Sequence, residues 1–151
     1  MANTQAICNS FRVDLLNGIH AFGTTVVRAG TGADTFKAAL YLASATVDST
    51  TTAYSATNEV SGTNYTAGGV TVTNATAPTN TTSTAYWTPS ASLAWTTVTL
   101  STAFDCVLLY NSTQSNKAVA AYTFGSQTVT AGNFTITMPT NNSTTGLLRL
   151  A

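Results

Sequence analysis

The sequence predicts an all-β chain: an antiparallel β-sandwich, jelly-roll-like, with one short N-terminal helix. Three observations carry that expectation. From about residue 24 onward, apolar residues recur at every second position, the period of a half-buried strand. Threonine supplies 33 of the 151 residues. Its β-branched side chain favours strands, and its hydroxyl suits the wet face of a sheet. Clusters of Gly, Asn, Ser and Pro punctuate the apolar runs, as turns between short strands require.

The helix is expected over about residues 4–17, where Ile7, Phe11 and Leu15 recur at helical spacing and Cys8 and Leu16 widen the stripe. Asn3 or Thr4 can cap its start, and Asn17-Gly18 supplies a left-handed stop. Strand alternation follows in Phe36, Ala38, Leu40 and Leu42, then in Val70 and Val72, Val98 and Leu100, and Phe134, Ile136 and Met138. Residues 104–110 form a continuous apolar run, the signature of a central strand; 118–124 are a second run and Gly146 to Leu150 a last one. Turns are expected at Ser61-Gly62-Thr63-Asn64, Gly68-Gly69 and Asn141-Asn142-Ser143, a loop at Pro78-Thr79-Asn80, and a hairpin connection over Asn111 to Asn116. Roughly seven to nine short strands with this spacing describe one sandwich domain spanning 1–151.

Charge is the scarcest commodity in the chain. Five basic and five acidic residues give a formal net charge of zero, where an ordinary domain of this length would carry about 38 charged groups. Such a surface is wetted by hydroxyls and amides and offers little repulsion between copies. It suits a protein that packs against its own kind. Arg12, Arg28, Lys37, Lys117 and Arg149 are scattered singly, so the clustered cations that nucleic-acid binding needs are missing. Met1 to Thr4 shows no basic, apolar leader pattern, and no run approaches the ~20 apolar residues of a membrane span. Neither nucleic acid nor membrane is an expected partner. Cys8 and Cys106, without metal-ligand or redox spacing, are expected as reduced, at least partly buried thiols.

Candidate chemistry is thin. Ala29 to Lys37 nearly matches a calcium β-roll nonapeptide, but that site needs stacked copies and the chain has one, so a glycine-rich turn is expected there. The Thr-x-Thr units at 71–73, 97–99, 128–130 and 135–137 keep no period, which excludes a threonine-stacked solenoid. His20 is the single histidine, no Gly-x-Ser-x-Gly elbow accompanies it, and the five acids are dispersed. No catalytic residue, cofactor or metal is expected, and the chain reads as a non-enzyme. Tyr54, Tyr65, Tyr86, Trp87 and Trp95 enrich the middle of the chain. Aromatic anchors dominate protein interfaces, and Tyr65 and Trp87, with Phe11 and Leu15 of the helix face, are the candidate contact residues; Tyr86 and Trp95 are expected to fill the sandwich core.

Residues 36–73 (FKAALYLASATVDSTTTAYSATNEVSGTNYTAGGVTVT) and 107–124 (VLLYNSTQSNKAVAAYTF) carry a resemblance. The FK-ALY-A-A start, the Thr-Thr-x-Tyr step, the EVSGT-YTAGG loop and the YNS…NKA hairpin resemble small virion structural proteins of tailed bacteriophages, from about residue 15 onward. The resemblance implies a β-rich, jelly-roll-like capsid cement (decoration) protein, made in the host cytoplasm and bound in many copies to the capsid exterior. Its implied partners are the major capsid protein and itself, as a dimer or trimer. A tail or head–tail connection component is the alternative within that class. A carbohydrate-binding host-attachment module is the alternative outside it.

Overall fold

The computed structural model describes residues 2–16, 18–22, 33–73 and 76–150. Its elements are β1 (Ala6–Ile7), α1 (Asn9–Leu16), β2 (Phe36–Leu42), β3 (Val70–Thr71), β4 (Thr79–Thr81), β5 (Thr84–Trp87), β6 (Leu93–Asn111), β7 (Lys117–Ile136) and β8 (Leu148–Leu150). Every strand pairing is antiparallel. One sheet has the order β1-β7-β6-β2-β3 and the other β4-β5-β8. The chain is therefore mainly β, with one short helix and two sheets in a sandwich-like arrangement. The eight-stranded double Greek key of a jelly roll is not among the described pairings.

The long hairpin β6–β7 is the frame. Ser115 and Asn116 both take positive φ (51° and 58°), and the Lys117 amide closes onto the Gln114 carbonyl at 3.1 Å. Both central residues of this turn are left-handed, as in a type I′ turn, and it closes the five-residue connection 112–116. Apolar runs expected as separate strands are here continuous: 98–100 belongs with 104–110 in β6, and 118–124 with Phe134 in β7. Bulges make the continuity possible. Between Trp95 and Val98, β6 advances three residues while its partner moves two, from Phe134 to Gly132. Thr97, at φ 53°, lies in that surplus. Between Val98 and Leu100 the surplus passes to β7, where Ala131 takes φ 45°. A polar, threonine-rich stretch can thus stay paired while the strand bends.

The N-terminus departs from expectation. The helix begins at Asn9, not near residue 4, and Ala6–Ile7 pairs as β1 with Ala121 and Ala120. The reason is the sheet edge: Val119 to Ala121 are buried apolar residues whose outward backbone needs a partner, and Cys8 continues the pairing by donating to the Val119 carbonyl at 3.0 Å. The helix stop is as expected. Gly18 is left-handed at φ 65°, its amide bonds the Leu15 carbonyl, and the Ile19 amide reaches the Asp14 carbonyl at 2.9 Å. Those two bonds define a Schellman cap. Thr79 and Asn80 of the expected Pro78-Thr79-Asn80 loop belong to strand β4, because the two residues Thr82 and Ser83 turn it back onto β5.

The core lies on the central strands. Phe36, Ala38, Ala39, Leu40 and Tyr41 of β2 and Phe104 with Cys106 to Tyr110 of β6 are all buried, so both faces of this part of the sheet are covered. Phe22 stacks on Phe36 at 4.4 Å and meets Trp87 of β5 at 4.8 Å. This aromatic cluster joins the small sheet to the large one. Asn3 pins the N-terminus: its side chain donates to the Leu42 carbonyl and the Asp105 carboxylate and accepts from the Val47 amide.

Candidate functional site

Three of the four residues expected to make contacts share one cleft. Phe11 and Leu15 of α1, Trp87 of β5, and Ile7, Phe22, Leu148 and Leu150 enclose about 240 Å³ between the helix and the small sheet. Phe11 and Trp87 are buried (both 2% exposed), Leu15 is half-buried, and Leu150 at the rim is 46% exposed. Trp87 also donates its indole N–H to the Thr76 carbonyl at 2.9 Å. Within one chain, Phe11 and Trp87 are thus core residues that line a gap.

Tyr65 lies elsewhere, in a knot around Glu59. The Tyr54 hydroxyl donates to Glu59 Oε2 (2.6 Å), and the Tyr65 hydroxyl and the Gly68 amide donate to Oε1 (both 2.8 Å). Tyr65 in turn accepts from the Leu40 amide, and Tyr110 donates to the Gly68 carbonyl. Tyr54 and Tyr110 stack at 4.7 Å. Burial, with the Glu59 charge adding to it, pushes the Tyr110 hydroxyl up to about 12. Burial first, then the bond to Glu59, drives Tyr54 upward. The glycines of this loop are required by contact. A Cβ on Gly62 would meet the Thr99 carbonyl, and one on Gly69 the Ala38 carbonyl. The loop is thereby fixed to the frame, with Asn64 also donating to the Thr97 carbonyl inside the β6 bulge at 2.8 Å.

A second polar cluster surrounds His20, whose side chain is fully buried. Asn111 Oδ1 accepts from the Thr113 and Gln114 amides, which fixes the orientation of its amide. Asn111 Nδ2 therefore faces Asp34 Oδ2 at 2.8 Å and His20 Nδ1 at 3.1 Å. With Nδ1 accepting, the neutral ring carries its proton on Nε2. That nitrogen faces Asp14 Oδ2 at 3.6 Å, beyond hydrogen-bond length, and neither atom has a hydrogen-bond partner among the described residues. Lys117 holds the other Asp14 oxygen at 2.9 Å. Burial lowers the affinity of His20 for a second proton and outweighs the pull of Asp14 and Asp34. The arrangement ties Ala21 to Asp34, whose carboxylate accepts from the Ala21 amide at 2.8 Å.

Cys8 and Cys106 are free and buried. Burial, reinforced by neighbouring carboxylates, pushes their thiols up to about 11 and about 12, which makes them poor nucleophiles at neutral pH. Among the described residues no group of three or more His, Cys, Asp or Glu side chains could hold a metal ion, and no helix is long and apolar enough to cross a membrane. The Ala29–Lys37 nonapeptide starts in residues outside those described; Phe36 and Lys37 open β2.

Charge is unevenly placed. No charged residue occurs from Val60 to Phe104, nor from Ala118 to Leu148. The far half of the long hairpin, Leu93–Phe104 with Thr123–Ile136, is consequently uncharged. Asp14, Asp34, Lys37 and Lys117 gather near the turn end, where Lys37 is opposite Tyr110 and Lys117 opposite Asn111. The two charge-free stretches can be read from the sequence; that they pair with each other is set by the register of β6 and β7. The Glu59 and His20 clusters had no such signal. No protein-family model, no curated protein and no solved structure matches this chain.

Proposed function

We propose that this chain is a bacteriophage virion structural protein, a capsid cement protein that binds the head exterior in many copies and stabilises it. The observation that carries the proposal is the uncharged half of the β6–β7 hairpin, a hydroxyl-coated surface with nothing ionic to attach it. Contacts made by such a surface rest on apolar burial and backbone or hydroxyl hydrogen bonds. The motif resemblance to phage virion proteins supplies the particle, and the major capsid protein is the proposed partner. A sugar-binding module fits less well. Trp87 and Trp95 are buried, so both indole faces that would stack on a sugar are turned inward, and Tyr65 is partly buried with its hydroxyl engaged by Glu59.

The test is attachment in high salt. Virions washed in about 1 M salt, where the Debye length falls to ~3 Å, keep the protein, and particles lacking it rupture at lower temperature. Electron microscopy places its density on the head lattice; density in the tail assigns the tail or head–tail role instead. A salt wash that strips the protein, or unchanged particle stability in its absence, overturns the cement role.

A further inference from the structure

Among the described residues, the outer edge of β7 is bare over most of its length. β1 covers only Ala120 and Ala121, with Cys8 bonding Val119. From Thr123 to Ile136, no described strand pairs with that side, and among the described residues no backbone hydrogen bond from another segment reaches it. Sheet edges left open in this way are usually guarded by lysines, prolines or inward charges. β7 has none of these after Lys117, and the first proline beyond it is Pro139. Its only defences are bulges, one at Ala131 and another where Phe104–Cys106 of β6 spans Gln127–Thr123 of β7. Beyond Ala131, β7 itself holds no surplus residue over Gly132–Ile136; the bulge opposite that stretch belongs to β6, between Trp95 and Val98. There, exposed Asn133 and Thr135 alternate with half-buried Phe134 and Ile136.

We propose that Gly132–Ile136 of β7 is a self-association edge, on which a second copy of this chain docks its own Gly132–Ile136 antiparallel about a two-fold axis. The occupant follows from the edge itself. Antiparallel pairing of a strand with its own copy is the isologous arrangement a two-fold requires. It supplies the missing backbone partners from an equally bare donor and acceptor row. The far half of the hairpin holds no charge on either face, so two copies meet there without like-charge repulsion. About that axis Phe134 faces Phe134 of the second copy and Thr135 faces its Asn133, whose amide nitrogen can hydrogen-bond across the pair while its oxygen holds the Thr97 amide; Phe134 and Ile136 gain cover. The paired sheets join into one, β6–β7 against its copy. A contact of five residues per copy is short, so the association is weak in dilute solution.

The proposal concerns the purified chain and stands apart from where the protein sits on a particle. Sedimentation of the wild type up to about millimolar concentration shows a reversible monomer–dimer equilibrium. Thr135 is exposed, so Thr135→Lys and Thr135→Glu keep the fold, which unchanged circular dichroism and melting verify. Each variant alone associates about fivefold more weakly or worse, because its two like charges lie diagonally across the axis, within reach of long side chains. The Lys variant recovers dimerisation in about 1 M salt. An equimolar mixture of the two variants dimerises at low salt. A wild type that stays monomeric, single variants that associate as the wild type does, or a mixture that fails to recover each overturns the proposal.

Discussion

Asn111 and His20, 91 residues apart in the chain, are joined by a single hydrogen bond of 3.1 Å that decides which ring nitrogen carries the proton. The Asn111 amide cannot turn over, because its oxygen already serves the Thr113 and Gln114 amides. A protonated ring would set two donors against each other at Nδ1.

Acid should therefore weaken the fold through His20. Its folded-state proton affinity is lowered by burial from the ordinary value of 6.5. The unfolded chain then binds the proton more readily, so stability is full above about pH 6.5 and declines as pH falls from there through the folded value. Melting temperature followed from pH 7.5 to pH 4.5 falls more steeply for the wild type than for His20→Phe. Nitrogen-15 spectra at pH 7.5 show the Nε2–H tautomer.

Two glycines separate backbone strain from collision. Gly18, at φ 65°, has nothing within 4 Å of an added Cβ, so Gly18→Ala costs only the left-handed penalty of about 1–2 kcal/mol. Gly69, at φ 72°, would drive a Cβ into the Ala38 carbonyl on β2. Gly69→Ala costs clearly more, and chemical denaturation measures the order.

Glu59 is the keystone of the 53–69 loop. Glu59→Gln keeps the shape but replaces one acceptor oxygen by a donor facing a tyrosine hydroxyl. We expect a loss of about 2–3 kcal/mol, with Tyr54→Phe milder because Tyr65 and Gly68 still hold the carboxylate. Urea unfolding of the two variants checks both magnitudes.

Phe11 and Leu15 differ in burial along one helix face. Phe11→Ala costs about 3–5 kcal/mol, and Leu15→Ala less, since Leu15 is already half-exposed to the cleft. Equal costs would place Leu15 in a filled contact that the single chain does not provide.

Both thiols should be silent in the native protein. A thiol reagent at neutral pH labels neither Cys8 nor Cys106 until denaturant is added, after which it labels two per chain.

The parts of the fold legible in the sequence were those where one local rule decides. The 104–110 run reads as a central strand because both of its faces are apolar, and Gly18 stops the helix for reasons contained in three neighbouring residues. Ile7 misleads: it continues the helical spacing of Phe11 and Leu15, yet the open backbone at Ala120–Ala121 draws it into a strand. Thr97 and Ala131 carry no mark of a bulge, because neither residue type favours positive φ. The polar clusters are hidden for another reason. Asp34 and Asn111 are 77 residues apart, and Glu59 gathers Tyr54, Tyr65 and Gly68 only after the loop has folded back on β2. Scarcity of charge was plain from composition; its confinement to one end of a hairpin needed the strand register.

The tight turn at Ser115–Asn116 also sets an order of events in time. Closing a five-residue connection costs little chain entropy, and hairpins form in about 1–10 μs. β6 and β7 can zip outward from that turn before any distant segment arrives. β2 joins β6 only by closing the long stretch between Leu42 and Phe104, and β1 reaches β7 across more than a hundred residues. Early pairing around 109–118 gives both latecomers a finished edge to join. Asn116→Pro, which removes the positive φ the turn uses, should slow refolding more than it speeds unfolding.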